Sequence, residues 1–570
     1  MVSWLGRNFI LKPWRSGKAL RRLWGGALEE DGMSELIRDK RTTGTILLVL
    51  ATLFIFFGVV FRCFHITDND FIFYDEGYYL NYNRQVMFII ANHPPQDFGD
   101  FFNAFGAYLR TSLASAKALW FLVVNARVYF VGFHAWYFPR VVSAVSGILT
   151  LLILFFFTGR FYENRTVSWL AVVILAVYPS HVFYSRLGLQ EALSTLLVLA
   201  GFFLYIFPPR FGPRAVLSAL AFAAAFFTNY RLIILPVFYL FAEVWLAFCD
   251  RRPVNIRKLA WVTVAFFSMV FLIGSLDGGK NTYITFGWMF HQANLAKKQF
   301  HVINFLSFPY YIFRLDNWIL GALFFGNIYF LYQKRFRVVF PFLCVCLQML
   351  IFSFASEKGA RYLCAMTPFI AMSVAYLLYS VFSEQPHNRV AWVMCGLAMI
   401  SLMYLKSWSV AKSTSDYQAA TEFIMSQGRP AGFVSTQNYV QNLYVPDAHK
   451  VQPCPSDFEG LFYLASQGYR YLVLCPQAYV SLAENNERFH PRLTSFLEFV
   501  RTHIKPVKVY PHFNETLLER FVFDHNEQLL RSIRFLNQAR VHRYGELRVY
   551  DLSQVVNEAL SLMRKVQGRP

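Results

Sequence analysis

Charge is what this sequence has least of. Of its 570 residues, 15% are Asp, Glu, Lys or Arg, whereas a soluble domain carries about 25%. An ordinary water-soluble fold is excluded. Acidic residues are scarcer still: 34 Asp and Glu against 54 Lys and Arg leave a net charge of +20. That excess does not mark a nucleic-acid binder, because many basic residues sit in short clusters between apolar runs, as topology signals do. The eight cysteines are scattered, with no CxxC pair and no His-rich ligand spacing, so the usual zinc-site signatures are missing. Only Cys454 and Cys475 fall in the polar C-terminal region, where they can pair if that region faces an oxidising compartment. A Gly-rich dinucleotide loop, a P-loop and a strong internal repeat are also lacking.

What is abundant is apolar: 56% of residues are hydrophobic and 19% aromatic, including 62 Phe. The long apolar runs predict a multi-pass α-helical membrane protein, since a membrane interior demands a backbone that satisfies its own hydrogen bonds. Eleven spans are expected, at 44–63, 138–158, 166–182, 189–207, 215–229, 232–248, 259–275, 316–332, 338–354, 362–381 and 391–407. Residues 1–43 form a basic segment before them, with nine Lys or Arg in residues 1–41. The first long apolar run starts too far along for a simple signal peptide.

Charge also sets an orientation. With a cytoplasmic N-terminus, five short inside loops hold twelve basic residues between Arg160 and Arg389. The short outside turns hold Arg186, Arg231, Lys358 and Arg361. That bias follows the positive-inside trend. The stretch ALWFLVVNARVYFVGFHAWYF (118–138) is apolar enough to insert, but Asn125 and Arg127 in its middle make insertion costly. It is expected as a helix at the interface or packed within the protein. The membrane domain then covers 44–407, with extracytoplasmic loops at 64–137 and 276–315, the latter suited to helices lying at the membrane surface. From 408 to 570 short strands (AGFVST, RYLVLC, VKVYPH, LRVYDLS) alternate with helices, which predicts a small extracytoplasmic α/β domain.

The candidate functional residues gather on the predicted outer side. Just past the first span the chain reads FIFYDEGYYLNYNRQ (71–85). A carboxylate among Tyr74, Tyr78 and Tyr79 can serve as a general base or orient an acceptor hydroxyl; a solvated loop is the plain alternative. Adjacent side chains diverge, so Asp75 and Glu76 are expected to do different jobs. His93 follows in NHPPQDFGD, with a structural role as its simpler reading. Glu191 opens an apolar helix five residues after Arg186, at a position where a carboxylate is electrostatically welcome. Arg231 in FFTNYRLIILP, and Lys358, Arg361 and Tyr362 in FASEKGARYLCAMTPF, run against the charge trend. Either lipid headgroups or an anionic substrate would account for them, and arginine's rigid fork suits phosphate oxygens. Carboxylates and guanidiniums on one face equip a protein to move a group from a membrane-bound phosphate to a hydroxyl. A lipid or glycolipid transporter is the rival, since it too places charge in a membrane cavity.

In this order the motifs resemble the GT-C superfamily of membrane glycosyltransferases that use polyprenyl-phosphate sugars, in particular the protein O-mannosyltransferase and aminoarabinose-lipid A transferase group. The matching elements are Asp75-Glu76-Gly77-Tyr78 after the first span, His93-Pro94-Pro95, the series Gly132, Arg140, Ser143 and Gly147, the pair Arg186 and Glu191, and Arg361-Tyr362 with Pro368. Many relatives carry Asp where Glu191 stands. The resemblance spans roughly 44–407 and implies an inverting transfer at the outer face of a bacterial cytoplasmic membrane. The donor would be a polyprenyl-phosphate-linked monosaccharide, its tail among the membrane lipids, and the acceptor a lipid, glycan or protein hydroxyl. Asp75 would be the general base, with Glu76, Glu191, Tyr78 and His93 around the sugar or acceptor. Arg361, Lys358, Arg231, Arg186 and Tyr362 would hold the donor phosphate. The resemblance implies no particular cofactor and leaves a divalent metal ion open. Some members use a divalent metal ion, whereas a monophosphate leaving group can be held by Arg and Lys alone.

Overall fold

In the computed structural model the described residues are 40–67, 76–82, 99–100, 103, 117–125, 137–207, 212–276, 287, 305–354, 359–412, 416–428, 432–445, 450–455, 457–474, 497, 499–510 and 546–566. Asp75, His93, Lys358 and Cys475, and most of the 276–315 loop, lie outside them. The chain forms two compact units, Met1–Leu53 and Phe54–Pro570. The described part of the first is the opening half of the Lys40–Cys63 helix, and all else described belongs to the second.

The protein is mostly helical, and every one of the eleven expected apolar segments is helical. Among the described residues, four helices are long and apolar enough to cross a membrane: Phe138–Tyr162, Tyr230–Cys249, Ala360–Glu384 and Arg389–Ala411. Ile256–Leu276 is a further long helix, and several expected spans are shorter, among them Glu191–Ile206, Pro213–Thr228 and Phe340–Ser353. Large apolar side chains such as Phe56, Leu152, Phe156, Phe248 and Met394 point outward and stay exposed. Such a surface matches lipid rather than water, and the chain is an integral membrane protein. The Ala118–Asn125 helix has eight residues, too few to span a bilayer, and Trp120, Phe121 and Val124 are buried in a core with Tyr79, Phe183 and Leu189.

The span expected at 166–182 is broken. Arg165–Ala176 and Pro179–Arg186 meet at a 59° bend. Pro179 has no N–H for the carbonyl of Leu175, one turn back, and its ring opposes a continuous helix. The freed carbonyls need other donors, because an unsatisfied polar backbone group is costly inside a membrane. Arg62, fully buried, supplies them: Nη1 donates to the carbonyl of Ala176 at 2.7 Å and Nη2 to that of Leu175 at 3.0 Å. Nη2 also meets His181 Nδ1 at 2.7 Å. That nitrogen must accept, which puts the ring proton on Nε2. Ser407 Oγ donates to the third freed carbonyl, Val177, at 2.8 Å. The short second helix begins with the Ser180 N–H and hydroxyl both donating to Asp316.

The C-terminal region holds a five-stranded sheet: β1 (Gly432–Ser435), β2 (Val451–Pro453), β3 (Tyr469–Leu474), β4 (Lys508–Tyr510) and β5 (Leu547–Asp551). The order is β2-β1-β3-β5-β4. β1 runs parallel to β2 and β3, while β5 is antiparallel to β3 and β4. Alternating side chains feed two cores. Val434, Leu472, Leu474 and Tyr550 meet the Phe458–Ser466 and Leu552–Val566 helices. Phe433, Tyr471, Val473 and Val549 meet Tyr417, Ala420 and Ile424 of the Tyr417–Ser426 helix. Four strands coincide with the expected ones; β2 was not expected, being three residues long and ending in Pro453. Cys454 is buried and its thiol is free, its pKa pushed up to about 12 by that burial.

Arg62→Met should strand the Ala176 carbonyl at the break, at about 1–3 kcal/mol, and leave that of Leu175 with the Tyr178 N–H at 3.3 Å. Thermal unfolding of the full chain in detergent should therefore show a clear fall in midpoint, with Ser407→Ala producing a smaller one.

Candidate active site

The site begins at the helix of residues 76–82. Glu76 is fully buried. Arg140 Nε donates to its Oε1 at 2.6 Å and Nη2 to its Oε2 at 3.0 Å, a bidentate pair, and the Gly188 N–H donates to Oε1 at 2.7 Å. Arg140 sits in the first turn of the Phe138–Tyr162 helix, which opens with a proline near its start. Gly188 is the centre of a γ-turn in which Leu189 N–H donates to Leu187 O at 2.7 Å. Glycine suits this position, since a Cβ would lie 3.0 Å from Pro139 Cβ and 3.2 Å from Glu76 Oε1, tight enough that its neighbours would have to give way. Ser143, one turn on from Arg140, donates to the carbonyl of Leu189 at 2.9 Å and holds the far side of the turn. Both Glu76 oxygens are thus engaged by the protein, so this carboxylate positions three segments. Arg186 belongs to the same neighbourhood. It is within electrostatic reach of Arg140 and Glu76 and donates from Nη1 to the carbonyl of Phe61 at 2.6 Å.

A second group forms where the Glu191–Ile206 helix meets the 3₁₀ segments Tyr230–Ile234 and Ala360–Met366. Asn229 caps the first of these, its side chain accepting from the Arg231 N–H at 3.3 Å. Arg231 is 8% exposed. Its guanidinium lies 4.5 Å from the Tyr362 ring centre and 5.4 Å from that of Tyr230, within cation–π range. Glu191 and Arg361 are within its electrostatic reach. Arg231 Nε and Nη1 find no hydrogen-bond partner among the described residues. Glu191 is 1% exposed; its Oε1 accepts from Gln190 at 3.2 Å, while Oε2 is left without a partner among the described residues. Gln348 steadies the wall of this group by donating to the carbonyl of Tyr362 at 2.8 Å.

Lys117 joins the two groups. Buried beside the Ala118–Asn125 helix, its ammonium donates to the Tyr79 hydroxyl and lies 6.0 Å from the Tyr230 ring centre. Sequence reasoning passed over it, because a lysine ahead of an apolar run looks like a topology charge. Gln348, within a predicted span, gave no signal at all. Tyr78 stacks on Tyr82 and meets Tyr439 edge-on at 5.2 Å, so its ring packs between segments. Arg231, Arg361, Tyr362 and Glu191 come together as the sequence suggested, and Arg186 stands apart from them.

No three His, Cys, Asp or Glu side chains converge among the described residues. Glu76 is committed to a guanidinium and Glu191 lies beside another, so the described residues do not fit a divalent ion.

No protein-family model and no curated protein matches the sequence. Solved structures do match the fold. The archaeal oligosaccharyltransferase AglB from Archaeoglobus fulgidus, in complex with an inhibitory peptide and a dolichol-phosphate, aligns over 79% of this chain and 72% of its own, with TM-score 0.53 and 13% identity. The same enzyme in complex with zinc and sulfate gives TM-score 0.52 over 75% and 68%, also at 13% identity. ArnT from Cupriavidus metallidurans bound to undecaprenyl phosphate aligns over 77% and 95%, with TM-score 0.50 and 14% identity.

Breaking the buried pair from one side leaves an uncompensated charge, which costs about 3–5 kcal/mol. Arg140→Met alone should therefore lower the unfolding midpoint sharply, and Glu76→Leu combined with Arg140→Met should recover much of the loss in the same assay. The chain shares its fold with the Archaeoglobus fulgidus oligosaccharyltransferase and with ArnT.

Proposed function

We propose that this protein moves a monosaccharide from a polyprenyl phosphate to a hydroxyl acceptor at the extracytoplasmic face, with inversion at the anomeric carbon. The observation that carries the reading is the Arg231 guanidinium, buried against two tyrosine rings with Nε and Nη1 unpartnered among the described residues. A buried guanidinium calls for an anion, and a phosphate monoester supplies oxygens that match its fork. Arg361 and Tyr362 stand beside it, and Lys117 adds an ammonium from the first loop. The GT-C fold and the undecaprenyl phosphate bound to ArnT support the same ligand class.

In the reaction the acceptor oxygen attacks the anomeric carbon as the bond from that carbon to the phosphate oxygen breaks. The acceptor proton passes to a base, the role assigned to Asp75. Negative charge grows on the departing phosphate, where Arg231 and its neighbours stabilise it most in the transition state. Glu191 Oε2, a buried acceptor, orients a sugar hydroxyl. Glu76 takes no part in proton transfer in this scheme; it holds the scaffold through Arg140. No step is routed through a metal ion.

Membranes containing the protein, supplied with a panel of radiolabelled polyprenyl-phosphate monosaccharides and native lipid extract, should yield a labelled product. No turnover and no donor binding across the panel would refute the reading. Arg231→Met should weaken undecaprenyl phosphate binding and lower transfer by about 10²-fold or more. Asp75→Asn should abolish transfer while donor binding persists; retained activity would remove the base assignment.

A further inference from the structure

The α/β region does not stand apart from the candidate site. In open sheets with parallel strands, ligands bind in the crevice beyond the carboxyl ends, where the strand order reverses. Here β1 lies between its parallel neighbours β2 and β3, and the chain leaving its carboxyl end forms the Asn438–Gln441 helix. That helix rests on the helix of residues 76–82. The Asn81 side-chain amide donates to the carbonyl of Tyr439, and also to that of Gly77 at 2.9 Å. The Tyr439 ring meets Tyr78 at 5.2 Å. Leu80, 5% exposed, packs in one of the two sheet cores with Tyr417, Val440 and Val473. At Gly77 the approach is so close that a Cβ would stand 2.9 Å from Val440 Cγ2 and 3.0 Å from its Cα.

We infer that the C-terminal α/β domain is a positioning element for the acidic first-loop helix, its crevice edge filled by residues 77–81 of the same chain, and that Gly77, Asn81 and Tyr439 are positioning residues for transfer. Glu76 is one residue from Gly77, so the joint bears on the opposite end of the clamp made by Arg140 and Gly188. The backbone continues directly from Glu76 to Asp75. A shift of the helix therefore displaces the proposed base, whereas Arg231 is carried by a different element, the Tyr230–Ile234 segment. A misplacement of about 1 Å can cost about 10²-fold in rate. The inference rests on the proposed glycosyl transfer for its kinetic consequence, but the joint itself does not.

The test uses the full chain in detergent as wild type, Gly77→Ala, Asn81→Ala combined with Tyr439→Ala, and Tyr439→Phe, which keeps the ring and the carbonyl. Hydrogen exchange over 76–82, undecaprenyl phosphate binding and transfer from the radiolabelled donor panel are measured on each. Gly77→Ala and the double variant should exchange at least about 10-fold faster over 76–82 and lose transfer by about 10²-fold. Their affinity for undecaprenyl phosphate should stay within twofold, and Tyr439→Phe should match wild type throughout. Unchanged exchange in both joint variants would overturn the inference, whatever the donor. Faster exchange with full transfer would overturn the positioning role, and so would an equal loss of lipid-phosphate binding and transfer. A wild-type protein that neither binds undecaprenyl phosphate nor transfers would defeat the proposed function instead, and the exchange result would still decide the joint.

Discussion

A single buried carboxylate ties the described site together. Glu76 receives two hydrogen bonds from Arg140 and one from the Gly188 backbone, so three segments remote in sequence converge on one side chain. Such a pair is not primarily a source of stability, because taking two charges out of water offsets much of their attraction. Its contribution is geometric. The guanidinium and carboxylate meet in a plane, and the third bond fixes the turn at Gly188 relative to that plane. An apolar contact of equal area would permit sliding. The ion pair does not, and the Glu191 helix starts only three residues beyond the turn.

The two buried arginines show why sequence alone could not pair the acids with their partners. Arg140 finds a matched carboxylate within the protein; among the described residues Arg231 meets tyrosine rings, with Glu191 in electrostatic reach. Nothing local distinguishes them. The partner of Arg140 is 64 residues away and the turn that completes the set is 112 residues from Glu76. An Asp-Glu pair among tyrosines therefore read as two groups with different jobs, but the guanidinium and backbone N–H that engage Glu76 could not be read from its neighbours. Lys117 was missed for the same reason: its chemistry is set by Tyr79 and Tyr230, neither of which is a sequence neighbour.

Periodicity, by contrast, was legible. The apolar runs and four of the five strands are properties of consecutive residues, and each appears where expected. β2 escaped because three residues carry almost no pattern, and its strand character comes from pairing with β1. The break at Pro179 lay within a run apolar enough to read as one span. Its cause was visible in the sequence, but its remedy was not. The donors that make it tolerable are Arg62 and Ser407, 113 and 230 residues from the carbonyls they satisfy.

These constraints form a chain of consequence. Because Pro179 ends one helix and Arg62 satisfies the carbonyls it frees, the second helix can leave at an angle. That angled helix delivers the 187–189 turn to Glu76. Close approach favours glycine twice along the route, at 188 where backbone meets carboxylate and, more tightly, at 77 where helix meets helix. The first approach is to the membrane domain and the second to the α/β domain. A side chain at either position would push Glu76 away from one of its supports, so the acidic helix is held from both directions by the absence of a Cβ. Arg231 is anchored on separate 3₁₀ segments, and the first-loop helix reaches them through Lys117 and through the core that Tyr79 shares with Cys364.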